Sequence, residues 1–204
     1  MDALILVDIQ NDFLPGGALP VADGDAVIPV ANRLMRQFDL VVATEDWHPA
    51  NHVSFAANHP GRRPFETITV DGLPQTLWPV HCVQNTGGAC FGPALETPHI
   101  ARIFQKGVDP TVDSYSGFFD NGRRHSTRLA EYLRSSGVTR VFLCGLATDY
   151  CVRATAIDAL AEGFSVHLVE DGCRGVGLTP GDINRALDEM KRAGVSIISQ
   201  DLRT

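Results

Sequence analysis

The feature that most constrains this chain is a repeated alternation of short, almost wholly apolar runs with stretches of helical periodicity. Residues 3–7 (ALILV) present no polar face, so they make a good strand only where both sides of a sheet are covered. A helical pattern follows over 26–38, then strands over 40–44 and 101–105. The spacing predicts a helix over 123–135, stopped near Gly137, and a fourth strand over 140–144. Helix 151–162, strand 165–169, helix 180–193 and strand 195–199 complete the rhythm. Apolar strands joined by helical crossovers imply an α/β protein, a three-layer α/β/α sandwich around a mostly parallel central sheet. With 204 residues and 44% hydrophobic content, the chain can bury one full core, so a single domain over 1–204 is expected.

The exception is the segment 46–101, rich in Pro, Gly, His and Asn and too long for a plain connection inside a compact domain. Segments of this kind line sites or form lids. A net charge of −7 argues against nucleic acid or an anionic membrane as partner and leaves a small molecule, with homo-oligomerisation open. The apolar run at the N-terminus is interrupted at Asp8 and follows an acidic residue, unlike a secretory signal, and no apolar stretch is long enough to span a bilayer. Five cysteines, an odd number in a chain that needs no staples, point to a reducing cytoplasm.

Polar residues fall at telling places on this frame. Asp8 ends the first strand, Asp46 follows the second, Lys106 ends the third and Cys151 follows the fourth. In an open parallel sheet, the crevice beyond the carboxyl ends of the strands is where ligands bind. Cys151 opens a helical pattern, where unpaired N–H groups should lower its pKa. Asp8 can take its proton and Lys106 can steady the thiolate, a group suited to acyl transfer. The turn 145–151 can offer the amides of Ala147 and Cys151 to an oxyanion, with Thr148 or Asp149 as helix cap. Taken singly, each residue also fits a bland role: loop cap, solvated lysine, buried small thiol.

A second group is rich in histidine. Asp46 and His48 are two apart and point the same way in extended chain, and His81 at the far end of the long segment can close the set. One carboxylate and two imidazoles suit one divalent ion, zinc, iron or manganese, and the sequence does not choose among them. His52 is placed either as a fourth ligand or as a loop-orienting residue. His59, His99, His125 and His167 lack a partner pattern. Cys82 and Cys90 fit no zinc-ribbon spacing, and Cys144 sits in a buried strand, where a thiol is inert.

Five blocks, VDIQNDFLPGGAL (7–19), TEDWHPANHVSF (44–55), WPVHCVQNTGG (78–88), KGVDPTVDSYSGF (106–118) and CGLATDYCV (144–152), make the chain resemble the nicotinamidases of the isochorismatase-like cysteine hydrolase superfamily. The resemblance covers nearly the whole chain. It implies the isochorismatase-like fold, a triad of Asp8, Lys106 and Cys151, metal ligands Asp46, His48 and His81, and a cis peptide between Leu146 and Ala147. It further implies an oxyanion hole at Ala147 and Cys151, and a pocket that includes Phe13, Trp78, Tyr115, Leu146 and Ala147. The activity implied is hydrolysis of nicotinamide through a thioester, with pyrazinamide as a side substrate and a place in NAD salvage. Two other readings remain: a cysteine amidase for carbamoyl or ureido substrates, and a non-catalytic metal or redox-sensing module.

Overall fold

The structure is a computed structural model that describes residues 1–199. The chain runs β1 (Asp2–Val7), α1 (Val27–Met35), β2 (Leu40–Asp46), β3 (Thr67–Val70), β4 (Leu73–Thr76) and β5 (Arg102–Lys106). It continues through α2 (Leu129–Ser135), β6 (Arg140–Leu146), α3 (Arg153–Ala161), β7 (Ser165–Arg174), α4 (Asp182–Ala193) and β8 (Ser196–Ile198). Six strands form one parallel sheet in the order β5-β2-β1-β6-β7-β8. Residues 3–7 of β1 are fully buried, as an apolar run without a polar face requires. Flanking helices supply the cover: α1 lies on β1, β6 and β7, α3 on β7, and Tyr132 of α2 meets Phe104 of β5 at 5.6 Å between ring centres. Among the described residues, no helix is long and apolar enough to cross a membrane.

The expected elements exist, and the corrections lie at their ends. Helix α2 begins at Leu129 rather than 123, because the Asp120 carboxylate takes the N–H groups of Arg124 and His125, both at 2.9 Å, and holds that stretch in a turn. Strand β7 runs on to Arg174, past a bulge opposite 143–145. Asp46 is the last residue of β2 rather than the one after it. Cys151 does not open an α-helix: it sits in a wider π-helical turn, Thr148–Val152, and α3 starts at Arg153.

The 47–101 segment is folded as well. It holds the β3–β4 hairpin, and its two ends meet in isolated bridges between His48 and Val83 and between Phe55 and Trp78. Those bridges carry His81 back to the carboxyl edge of the sheet.

Candidate active site

Strand register brings the first group together. Asp46 and Lys106 are direct partners in the β2–β5 pairing, and Asp8 follows β1 next door in a left-handed conformation (φ 49°). The Lys106 ammonium is fully buried. It donates to an Asp46 oxygen, to the Ser114 carbonyl at 2.9 Å and to Cys151 Sγ at 3.4 Å, and it lies 2.9 Å from Asp8 Oδ2. Burial opposes its charge, but Asp46 and Asp8 outweigh that and hold its pKa well above the usual lysine value.

Asp8 is buried too. Its Oδ1 accepts from the Thr44 hydroxyl at 2.6 Å, whereas Oδ2 has the charge of Lys106 beside it but no donor in hydrogen-bonding alignment. Burial pushes the Asp8 pKa up, with Lys106 opposing. Carboxylate oxygens of Asp8 and Asp46 lie within 4.8 Å of Cys151 Sγ. For Cys151 the expectation of a lowered pKa is not met: burial, together with the two carboxylates, drives the thiol pKa well up despite Lys106.

The second group is built from side-chain and backbone locks. His48 Nδ1 donates to the Gly107 carbonyl at 2.9 Å and His81 Nδ1 to the Pro79 carbonyl at 2.8 Å. A carbonyl can only accept, so each ring carries a proton on Nδ1, and in the neutral ring the Nε2 lone pair is free; Asp46 beside it raises the His48 pKa against burial. Those two Nε2 atoms face Asp46 Oδ2 from 3.7 and 3.8 Å, while Lys106 occupies the other Asp46 oxygen. Burial raises the Asp46 pKa in part, but Lys106 and His48 bring it well below the carboxylate range. Burial and the neighbouring His48 press His81 down to about 4. Two fixed lone pairs and one free carboxylate oxygen fit a divalent cation. His52 lies against the His48 ring, 4.2 Å between centres, and with His48 and Asp113 forms a second group able to hold an ion, but its Nδ1 pairs with the Ser54 hydroxyl at 2.7 Å and its Nε2 with the Val112 carbonyl at 3.3 Å.

Phe13, Trp78, Tyr115, Ala147 and Cys151 line one cavity with Asp46, His48 and His81. Leu146 is a correction. It is not among the lining residues, and its side chain is fully buried toward Gly24. The peptide between Leu146 and Ala147 is cis. Asp149 caps nothing; its two oxygens take the N–H groups of Val176 and Gly177, each at 2.9 Å, and so hold Val176 in the cavity wall.

The sequence did not single out Leu19, Asp113, Tyr150 and Val176 as wall residues, nor Gln10 and Asp12 as supports. Gln10 donates to the Asp46 carbonyl and accepts from the Asp46 N–H, both at 2.8 Å, and Asp12 takes the N–H of Cys82 at 2.7 Å. Both follow Asp8 at alternate positions in the first block, which is the signal that could have found them. Gly107 leaves room for the His48 ring: a Cβ would lie 2.3 Å from it, and its φ is +63°.

A covered parallel sheet with an acid, a lysine and a cysteine at its carboxyl edge, beside a cation-competent cluster, defines the class of a cysteine hydrolase site. The Isochorismatase domain profile matches residues 2–201, and the chain belongs to that family. It is 51% identical over 199 residues to the nicotinamidase of Escherichia coli K12, covering 96% of this chain and 93% of that protein. The structure of an Acinetobacter baumannii nicotinamidase/pyrazinamidase superposes with a TM-score of 0.95 at 46% identity, over 98% of this chain and 96% of that one. A Pyrococcus horikoshii pyrazinamidase solved in complex with zinc superposes with a TM-score of 0.81 at 46% identity, over 97% and 98%.

Proposed function

We propose that this protein is a nicotinamidase that hydrolyses nicotinamide to nicotinate and ammonia through a thioester on Cys151. The observation that carries the reading is the buried Lys106 ammonium within reach of Asp8, Asp46 and Cys151 Sγ at the ends of neighbouring strands. Relatives that are nicotinamidases supply the substrate, and a cavity walled by Phe13, Trp78 and Tyr115 suits a flat pyridine ring.

In the first half-reaction Asp8 accepts the Cys151 proton, and the sulfur attacks the carboxamide carbon. The amides of Ala147 and Cys151 receive the resulting oxyanion. As the C–N bond breaks, Asp8 returns the proton to nitrogen and ammonia leaves, giving the thioester. In the second half, water gives a proton to Asp8 and attacks the same carbon. The sulfur leaves, recovers a proton from Asp8, and nicotinate is released. Lys106 keeps Asp8, Asp46 and the thiolate charged and in place.

Asp46, His48 and His81 would hold one divalent ion, zinc, iron or manganese, and it would supply a Lewis-acid contact for the ring nitrogen. The chain acts as one hydrolase domain, with the 46–100 region carrying two of the ligands beyond the sheet. Five free thiols, Cys90 exposed among them, fit a reducing cytoplasm.

Ammonia release by the purified, metal-loaded protein tests the reading. Turnover of nicotinamide, and of pyrazinamide more slowly, is expected. Release from N-carbamoyl amino acids alone would transfer the site to ureido substrates, and no release from any amide would overturn the hydrolase reading.

A further inference from the structure

Phe65 combines three features that stability alone does not call for. It is 49% exposed, and its φ is +72°, a left-handed conformation in which a bulky side chain is strained. It occupies the third position of a turn closed by Glu66 N–H to the Arg63 carbonyl at 3.3 Å, with Pro64 second. A turn with proline second and positive φ third is where glycine or asparagine belongs.

The ring nonetheless has a defined neighbour. It meets Trp78 edge-on at 6.1 Å between centres. The turn is clamped to the same segment, since Phe65 N–H donates to the Leu77 carbonyl at 2.5 Å and Leu77 N–H to the Glu66 carbonyl at 2.8 Å. Trp78 in turn packs edge-on against Tyr150 at 4.8 Å and donates from its indole to the Tyr115 hydroxyl at 3.2 Å, and all three line the cavity. Phe65 itself is not a lining residue. Two further exposed apolar side chains stand near lining residues in sequence: Val80 between Trp78 and His81, and Leu178 two residues beyond Val176.

We propose that Phe65 is a positioning residue that braces Trp78 and thereby sets the size of the aromatic ring the pocket admits. The brace fixes Trp78 against Tyr115 and Tyr150, keeping the slot the width of one six-membered ring. The ring of this strained, half-exposed phenylalanine, rather than its backbone, is what the site uses. This inference rests on the nicotinamide reading given above.

Phe65→Gly, Phe65→Ala and Phe65→Tyr separate the two roles. Glycine relieves the backbone and removes the ring, so F65G should keep or raise Tm. Its KM for nicotinamide should rise about two- to tenfold with kcat nearly unchanged, the mark of lost binding shared by substrate and transition state. Its kcat/KM for quinoline-3-carboxamide should rise relative to that for nicotinamide. F65A should share the KM and selectivity changes, and F65Y should restore both. Fluorescence gives a second readout, since the protein has two tryptophans, Trp47 and Trp78. The emission should move to the red in F65G as Trp78 loses its cover.

Unchanged KM, selectivity and emission in F65G would overturn the proposal, as would a loss confined to Tm. Should the wild-type protein leave nicotinamide untouched, the functional reading fails by itself. The emission shift then still decides whether Phe65 braces Trp78.

Discussion

The sheet edge and the 47–101 segment deliver residues to one cavity by different means. Asp46 and Lys106 face each other because β2 and β5 pair in parallel register, and Asp8 arrives from β1 beside them. Many repeated backbone hydrogen bonds enforce that arrangement, so it tolerates the loss of any one side chain. His81 and Trp78 arrive through isolated bridges and single hydrogen bonds, with Asp12 gripping Cys82 and the Trp78 N–H donating to the Ser54 carbonyl at 2.7 Å. Substitutions in the sheet group should therefore alter chemistry while leaving geometry, and those in the segment should move ligands.

Cys151→Ala is the sharpest cut on the sheet side. Turnover should fall about 10⁴- to 10⁶-fold with metal content retained, read by ammonia release and elemental analysis. Lys106→Met tests the limit of that tolerance, because it leaves Asp8 and Asp46 buried without a counter-charge. Urea unfolding should show a loss of about 3–5 kcal/mol, and a loss near zero would mean that the carboxylates relax into solvent or take up protons freely.

Between the two regions, Gln10→Ala removes the two hydrogen bonds from its side chain to the Asp46 backbone and the one at 2.8 Å that ties it to the Ala89 carbonyl of the segment. Metal affinity should drop about 10- to 100-fold by competition with a chelator, while the Cys151 thiol keeps its reactivity toward a small alkylating reagent. Equal losses of metal and thiol reactivity would erase the distinction between the two regions.

The smallest effect is a shift. The pKa of Asp8 lies above the ordinary 3.8, and Asp8 accepts the thiol proton only when ionised. As pH falls through that raised value the base is lost, so the acid limb of kcat/KM, read from ammonia release across pH, should sit above the ordinary aspartate range.

The same contrast explains what the sequence revealed. Asp8, Lys106 and Cys151 were legible because strand ends converge by topology, and alternation could place Asp46 and His48 on one side without coordinates. Gln10 and Asp12 were not, since a polar side chain after a strand reads as solvated until the backbone it grips is seen. The start of α2 was misplaced because Asp120 competes for backbone N–H groups that helical periodicity assigns to the helix. The thiol was expected to be acidified by a helix end, but the burial that outweighs this is a tertiary property. Leu146 enters the expected pocket only through the family resemblance, and its fully buried side chain points toward Gly24 instead.

The most direct test of the account is to run the nicotinamide reaction in the presence of hydroxylamine. A Cys151 thioester predicts nicotinohydroxamate formed at the expense of nicotinate by the wild-type protein and none by Cys151→Ala. Nicotinate as the sole product at every hydroxylamine concentration, with Cys151→Ala still active, would contradict it.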